Sequence, residues 1–168
     1  MENPLIIGVM GGGLAGPRDA KAAYRLGSLI AEQGWILLNG GRNAGVMAAS
    51  AKGARENGGL TVGILPDDNP HAVSPYIQIP ILTGMGNARN CINVLSSHAV
   101  VACPGGTGTI SEVALALKSN RPVILMNFNI KDIFEDYLIK ERLFWAETPE
   151  EVIATIKRIF KADRASLS

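Results

Sequence analysis

Cysteine is scarce in this chain: Cys91 and Cys103 are the only two in 168 residues, and no CxxC pattern surrounds them. That excludes a disulfide framework and offers no zinc-site spacing, so a reducing, cytoplasmic setting is the expectation. Charge is thin as well, at 18% of residues against about 25% in an average domain. A surface with so little charge is expected to be partly buried by self-association, which points to a homo-oligomer, a dimer or a tetramer. The formal net charge is +1, with no basic stripe and no acidic tail, so no nucleic-acid partner is expected. No apolar run reaches the roughly 18 residues that would suggest a membrane span. The run Leu5–Met10 is too short for a leader and ends in Gly11-Gly12-Gly13, so neither a membrane nor a signal peptide is expected.

Glycine and alternating elements are what the chain has. Strand-like runs at Leu5–Met10, Trp35–Leu38, Thr61–Leu65, Ile77–Ile81, Ala99–Cys103, Val123–Met126 and Leu143–Ala146 are separated by helical stretches. Helices are read from Gly16-Pro17 to Gly34, over Val46–Asn57 and over Asn87–Ser97. Two more are read around Ile110–Leu117 and Asp132–Ile139. Ile110, Val113, Ala114 and Leu117 carry the i, i+3, i+4, i+7 spacing of a core-facing helix. Thr148-Pro149-Glu150-Glu151 is a capping box that opens a last helix, read to about Lys161, with a frayed tail from about Asp163. This alternation predicts one doubly wound, Rossmann-like α/β domain over residues 1–168, with a mostly parallel sheet and helices on both faces.

Three glycine loops join a strand to a helix: Gly11-Gly12-Gly13-Leu14-Ala15-Gly16, Gly40-Gly41-Arg42-Asn43-Ala44-Gly45 and Pro104-Gly105-Gly106-Thr107-Gly108-Thr109. Parallel strands put all three on one edge, where α/β sheets bind ligands. Each feeds a helix N-terminus, whose free N–H groups suit an anion such as a phosphate. The first loop fits GxGxxG, but the second strand ends at Asn39 rather than at the acidic residue that a dinucleotide ribose needs. The Walker lysine is absent too, so a nicotinamide dehydrogenase and a P-loop NTPase are both disfavoured.

The stretch Pro104–Glu112, PGGTGTISE, resembles the PGGxGTxxE signature of the LONELY GUY and "lysine decarboxylase-like" Rossmann family. Gly40-Gly41 with Gly45-Val46-Met47 resembles its GGxxxGxM element. MGNARN at Met85–Asn90 and GILP at Gly63–Pro66 look like the branch of molybdenum cofactor carriers. The resemblance spans roughly Leu5 to Phe160 and implies two functions. One is hydrolysis of the N-glycosidic bond of a nucleoside 5′-monophosphate, with Arg89 and Glu112 in the active site. A carboxylate there can steady a ribosyl cation or activate water, and an Arg can hold the phosphate. The other is carriage of the molybdenum cofactor, a phosphorylated pterin whose dithiolene already holds the metal, for delivery to molybdoenzymes. Asn90 stands where the hydrolase branch has Lys, which favours the carrier. On either reading the phosphorylated pterin or nucleotide meets Gly11, Gly12, Gly13, Gly40, Gly41, Arg42, Gly45, Arg89, Asn90 and Gly105–Thr109 (Gly105, Gly106, Thr107, Gly108, Thr109). No metal bound by protein side chains is expected.

Simpler roles compete at several of these positions. Thr109 and Glu112 also have capping-box spacing, in which Glu112 would close the helix N-terminus. Asp67, Asp68 and His71 read as a solvated turn between Pro66 and Pro70. His98 reads as a capping or hydrogen-bonded residue before a buried strand. Cys103 reads as a small apolar group. The small residues of Val46–Ala54 suit close packing, in the core or against a partner subunit.

Overall fold

The computed structural model describes residues 3–130, 134 and 142–165. Seven strands form one sheet: β1 (Ile6–Met10), β2 (Ile36–Asn39), β3 (Thr61–Leu65), β4 (Ile79–Leu82), β5 (Ala99–Ala102), β6 (Val123–Met126) and β7 (Leu143–Ala146). Their order is β4-β3-β2-β1-β5-β6-β7, and every neighbouring pair is parallel. The described helices are α1 (Pro17–Glu32), α2 (Gly45–Glu56), α3 (Arg89–Leu95), α4 (Thr107–Lys118) and α5 (Pro149–Ala165), with a 3-10 turn at Gly86–Ala88. No described helix is long and apolar enough to cross a membrane.

Strands β5 and β6 are apolar at every position because both sheet faces are covered. β5 (AVVA) and β6 (VILM) are buried throughout, as parallel strands between two helical layers must be. Alternate side chains feed two cores. Ile7, Val9, Leu37 and Val101 meet Leu26, Ile30 and Ile156 on the face of α1, α2 and α5. Met10, Leu38, Val100 and Leu125 meet Val94, Val113 and Leu117 on the face of α3 and α4. The chain builds outward from β1 to β4 and then returns to place β5 on the other side of β1. The order therefore reverses between β1 and β5, and a crevice opens at their C-terminal ends.

Several expectations shift by local chemistry. The segment Asn87–Ser97 divides into the 3-10 turn and the short α3. The helix after the third glycine loop starts at Thr107, so Gly108 lies in its first turn. α5 runs to Ala165, past Lys161, because nothing in its last residues breaks a helix. Its start keeps one half of the capping box: Glu151 N–H donates to Thr148 Oγ1 at 3.2 Å. The other half is displaced by one residue, with Glu147 N–H donating to Glu151 Oε2 at 2.8 Å. The helix read at Asp132–Ile139 lies outside the described residues, apart from position 134. The small residues of α2 serve the core: Val46, Ala51 and Ala54 are fully buried, and the backbone of α2 at Gly53 comes up against Tyr24 of α1.

Candidate functional site

The crevice between β1 and β5 holds a cleft of about 210 Å³. Its floor is Val9, Met10 and Gly11–Gly13 from β1 and its loop, with Gly40 and Met47 from the second loop and α2. Asn87, Arg89 and Asn90 form one wall, and Gly106, Gly108, Thr109 and Glu112 form the other. Ten of the residues expected at the site thus share one cleft: Gly11, Gly12, Gly13, Gly40, Arg89, Asn90, Gly106, Gly108, Thr109 and Glu112.

The loops are held against each other by backbone. Gly12 N–H donates to the Pro104 carbonyl at 3.0 Å, and Val46 N–H donates to the Gly12 carbonyl at 3.0 Å. Asn39 fixes the second loop. Its Oδ1 accepts from Gly41 N–H at 2.8 Å, and its Nδ2 donates to the Met47 carbonyl at 2.9 Å. The asparagine that stands in place of a ribose-binding acid is therefore a buried brace for the glycine loop.

Arg89 owes its place to a missing side chain. A Cβ at Gly40 would run into the Arg89 guanidinium and into the Met47 sulfur, so the bare Gly40 backbone is the shelf on which Arg89 rests. Burial pushes the guanidinium below its ordinary value, and the nearby Glu112 charge offsets only part of that. An arginine so placed stays charged. Facing it is the start of α4. The first N–H of this helix with a helical acceptor is that of Ile110, which donates to the Gly106 carbonyl at 3.1 Å. The N–H groups of Thr107, Gly108 and Thr109 precede any such acceptor and carry the positive end of the helix dipole.

Glu112 is only 7% exposed. It does not cap α4, because α4 begins at Thr107 with Gly106 as its N-cap residue and no side-chain cap. Thr109 and Glu112 both lie inside the helix. The Glu112 Oε1 instead accepts from Asn93 Nδ2 at 2.7 Å. Burial raises its carboxyl above the ordinary value, while the Asn93 hydrogen bond and the Arg89 charge lower it in part. Asn90 is 8% exposed and donates through Nδ2 to Ser111 Oγ at 3.0 Å, and Ser111 Oγ donates to the Gly108 carbonyl at 2.7 Å. Asn90 and Asn93 therefore clamp α3 to the first turns of α4.

Five expected residues do not line the cleft. Arg42 pairs with Asp67 at 2.9 Å on the exposed rim. Gly41 packs on Leu65, Gly45 on the Gly12–Gly13 backbone, and Gly105 on Thr109 and Gly12. Thr107 is exposed at the start of α4. Met47 and Asn87, which stand in the GGxxxGxM and MGNARN stretches but are not among the expected site residues, line the cleft, and Asn93 braces Glu112 beside it. No local signal marks Asn93: it is one of two asparagines in a short helix that also carries Ile92, Val94 and Leu95, and its role depends on α4 packing beside it.

The remaining polar candidates have structural roles. His98 Nδ1 accepts from Ile6 N–H at 2.8 Å. The Cys103 thiol is pushed up to about 12 by burial, so it is a neutral packing group. Among the described residues no three His, Cys, Asp or Glu gather where they could hold a metal ion.

The model of the SLOG cluster4 family matches residues 4–153. The chain belongs to that family. It is similar to the molybdenum cofactor binding protein of the phototrophic bacterium Rippkaea orientalis, with 51% identity and a TM-score of 0.89 over 95% of this chain and 99% of that one. It is also similar to the molybdenum cofactor carrier protein of Chlamydomonas reinhardtii, with 41% identity and a TM-score of 0.86 over the same shares. A cytokinin riboside 5′-monophosphate phosphoribohydrolase of Mycobacterium marinum is 30% identical over 100 residues. That match spans 58% of this chain and 53% of the enzyme.

Proposed function

We propose that this SLOG cluster4 protein binds the molybdenum cofactor and hands it on unchanged. The observation that carries the reading is the pairing of Arg89, laid on the Gly40 shelf, with the free N–H groups at the start of α4 across one cleft. A fixed cation and a helix N-terminus facing one gap make a receptor for a phosphate. At about 210 Å³ the cleft is smaller than the roughly 300–1,000 Å³ of whole-ligand pockets. It therefore takes the phosphate end and leaves the pterin on the open glycine rim. The metal needs no protein ligand, because the pterin dithiolene holds it. The likeness to cofactor-binding proteins across nearly the full chain supports this reading. On it the protein works in the cytoplasm as a homo-oligomer, and molybdoenzymes receive the cargo.

Mass spectrometry of the small molecules released on denaturing protein purified from its native cells tests the reading. A phosphorylated pterin is the expected species. Nucleoside monophosphates in its place would count against it.

A second reading is favoured by one observation: Glu112 and Arg89 line the same cleft, as hydrolysis of a nucleoside 5′-monophosphate would require. Against it, the position of the enzyme branch's Lys is held by Asn90, whose amide is spent on Ser111. On the carrier reading AMP is returned intact. Adenine and ribose 5-phosphate released by the wild type, and lost in Glu112→Ala, would move the conclusion to the enzyme. A single acid–base group typically contributes about 10²–10⁴-fold, so such a loss would be plain.

A further inference from the structure

The binding surface does not end at the phosphate cradle. Beyond Gly12, Gly13 and Gly106 lies a second hollow of about 430 Å³, bounded by Leu14, Asp19, Pro104 and Gly105. The two hollows share Gly12, Gly13 and Gly106, so the start of α4 stands between them. The passage is bare backbone, and a Cβ on Gly106 would meet nothing within 4 Å. A phosphate held at α4 thus has room on both sides.

Two side chains give the second hollow its chemistry. Leu14 is 97% exposed, on a glycine loop where it contributes nothing to the core. An apolar group held out over a binding hollow is suited to cover a flat ring. Asp19, in the first turn of α1, is a half-buried carboxylate that can accept from ribose hydroxyls or from the exocyclic amine of a base. It repels a phosphate, whose charge has the same sign, so a second phosphate would stay over the shared Gly12, Gly13 and Gly106 and only a ring would reach Asp19.

We infer that the ligand continues past its phosphate: the site takes a pyrophosphate-linked ligand whose second ring lies in the hollow between Leu14 and Asp19. In terms of the proposed function, on which this rests for the phosphate end, the cargo is the cofactor extended at its phosphate by a nucleotide. The missing acid at Asn39 is no obstacle, because the acid sits instead at Asp19, across the cradle.

Calorimetric titration with two pairs of probes tests this. One pair is the molybdenum cofactor with and without a nucleotide on its phosphate. The other is AMP and its pyrophosphate-linked dimer. The longer member is expected to bind at least about tenfold more tightly, the equivalent of about 1.4 kcal/mol. Leu14→Ala and Asp19→Ala should each close that gap by weakening the longer member. Leu14 is exposed, so its variant folds and the result is readable. Equal affinity within both pairs, or a gap that survives both substitutions, overturns the inference. If neither form of the cofactor binds but the AMP pair shows the gap, the carrier reading falls and the two-hollow site stands.

Discussion

Gly40 and Arg89 act as one unit, and a single added methyl group tests it. In Gly40→Ala the new Cβ meets the flexible ends of Arg89 and Met47, which can swing away, so the protein folds with its cation displaced. A hydrogen bond to a charged group is worth about 1.5–3 kcal/mol, so phosphate-ligand affinity should fall roughly 10- to 100-fold in both Gly40→Ala and Arg89→Ala. The double variant should be no worse than Arg89→Ala alone, since both lose the same contact. Additive losses would mean that Gly40 touches ligand itself. Glu112 gives a second prediction. Burial raises its carboxyl, so the folded protein holds that proton more tightly than the unfolded chain does. Stability from this group is therefore lost as pH rises from the ordinary carboxylate value, about 4.3, through the raised folded value. Glu112→Gln removes that cost and still accepts from Asn93. Its Tm should exceed that of the wild type at neutral pH, and the gain should fade on acidification toward about pH 4. A lower Tm at neutral pH would show that attraction to Arg89 outweighs burial. Arg89, Glu112 and most of the glycines could be read from local sequence, because phosphate loops repeat the same backbone needs. Asn93 and the diversion of Arg42 to Asp67 could not, since both depend on which loops the fold brings together.

At the scale of elements, the start of α4 is the anion-receiving part, and Gly106 is its N-cap residue. Nothing stands within 4 Å of a Cβ there, so Gly106→Asp should fold. Aspartate is a better N-cap than glycine by a few tenths of a kcal/mol, so the empty variant should be as stable as the wild type or slightly more so. It should nevertheless lose the ligand, because its own carboxylate occupies the helix N-terminus. Saturation at about 100 times Kd stabilises by about 2.7 kcal/mol, on the order of 5–10 °C in Tm for a domain of this size. That shift should vanish in Gly106→Asp, and a preserved shift would place the phosphate elsewhere. The strands and α1, α2 and α5 were legible because apolar periodicity and Gly or Pro punctuation agree with the fold. The start of α4 was harder: the Thr109–Glu112 spacing fits a capping box, yet the helix starts earlier, at Thr107 after an extended Gly106, and leaves Glu112 to Asn93. At the turn Gly86–Ala88, Gly86 takes a positive φ and Asn87 and Ala88 stay in a 3-10 turn; the sequence does not separate that turn from the start of α3, because both wind with the same hand at nearly the same period.

For the whole molecule, the sequence points to self-association through the helices beside the glycine rim, at Val46–Ala54 and Ile110–Leu117, and the exposed apolar residues add a second surface. The small residues of α2 are spent on α1, whereas the edge strand β4 is exposed at every position. Ile79 and Ile81 there, with Met85 and Leu95 of the adjoining turn and α3, are each more than two-fifths exposed. Ile81→Lys and Leu95→Lys should shift the mass found by light scattering at micromolar concentration toward that of the monomer. An oligomer that survives both changes would place the contact elsewhere. The central claim, that the protein keeps and releases the molybdenum cofactor intact, is tested most directly by transfer. Protein loaded with cofactor is aged, mixed with a cofactor-free molybdoenzyme, and the recovered activity is followed in time beside free cofactor aged equally. The account predicts greater recovery from the loaded wild type, lost in Arg89→Ala; recovery no better than that from free cofactor would contradict it.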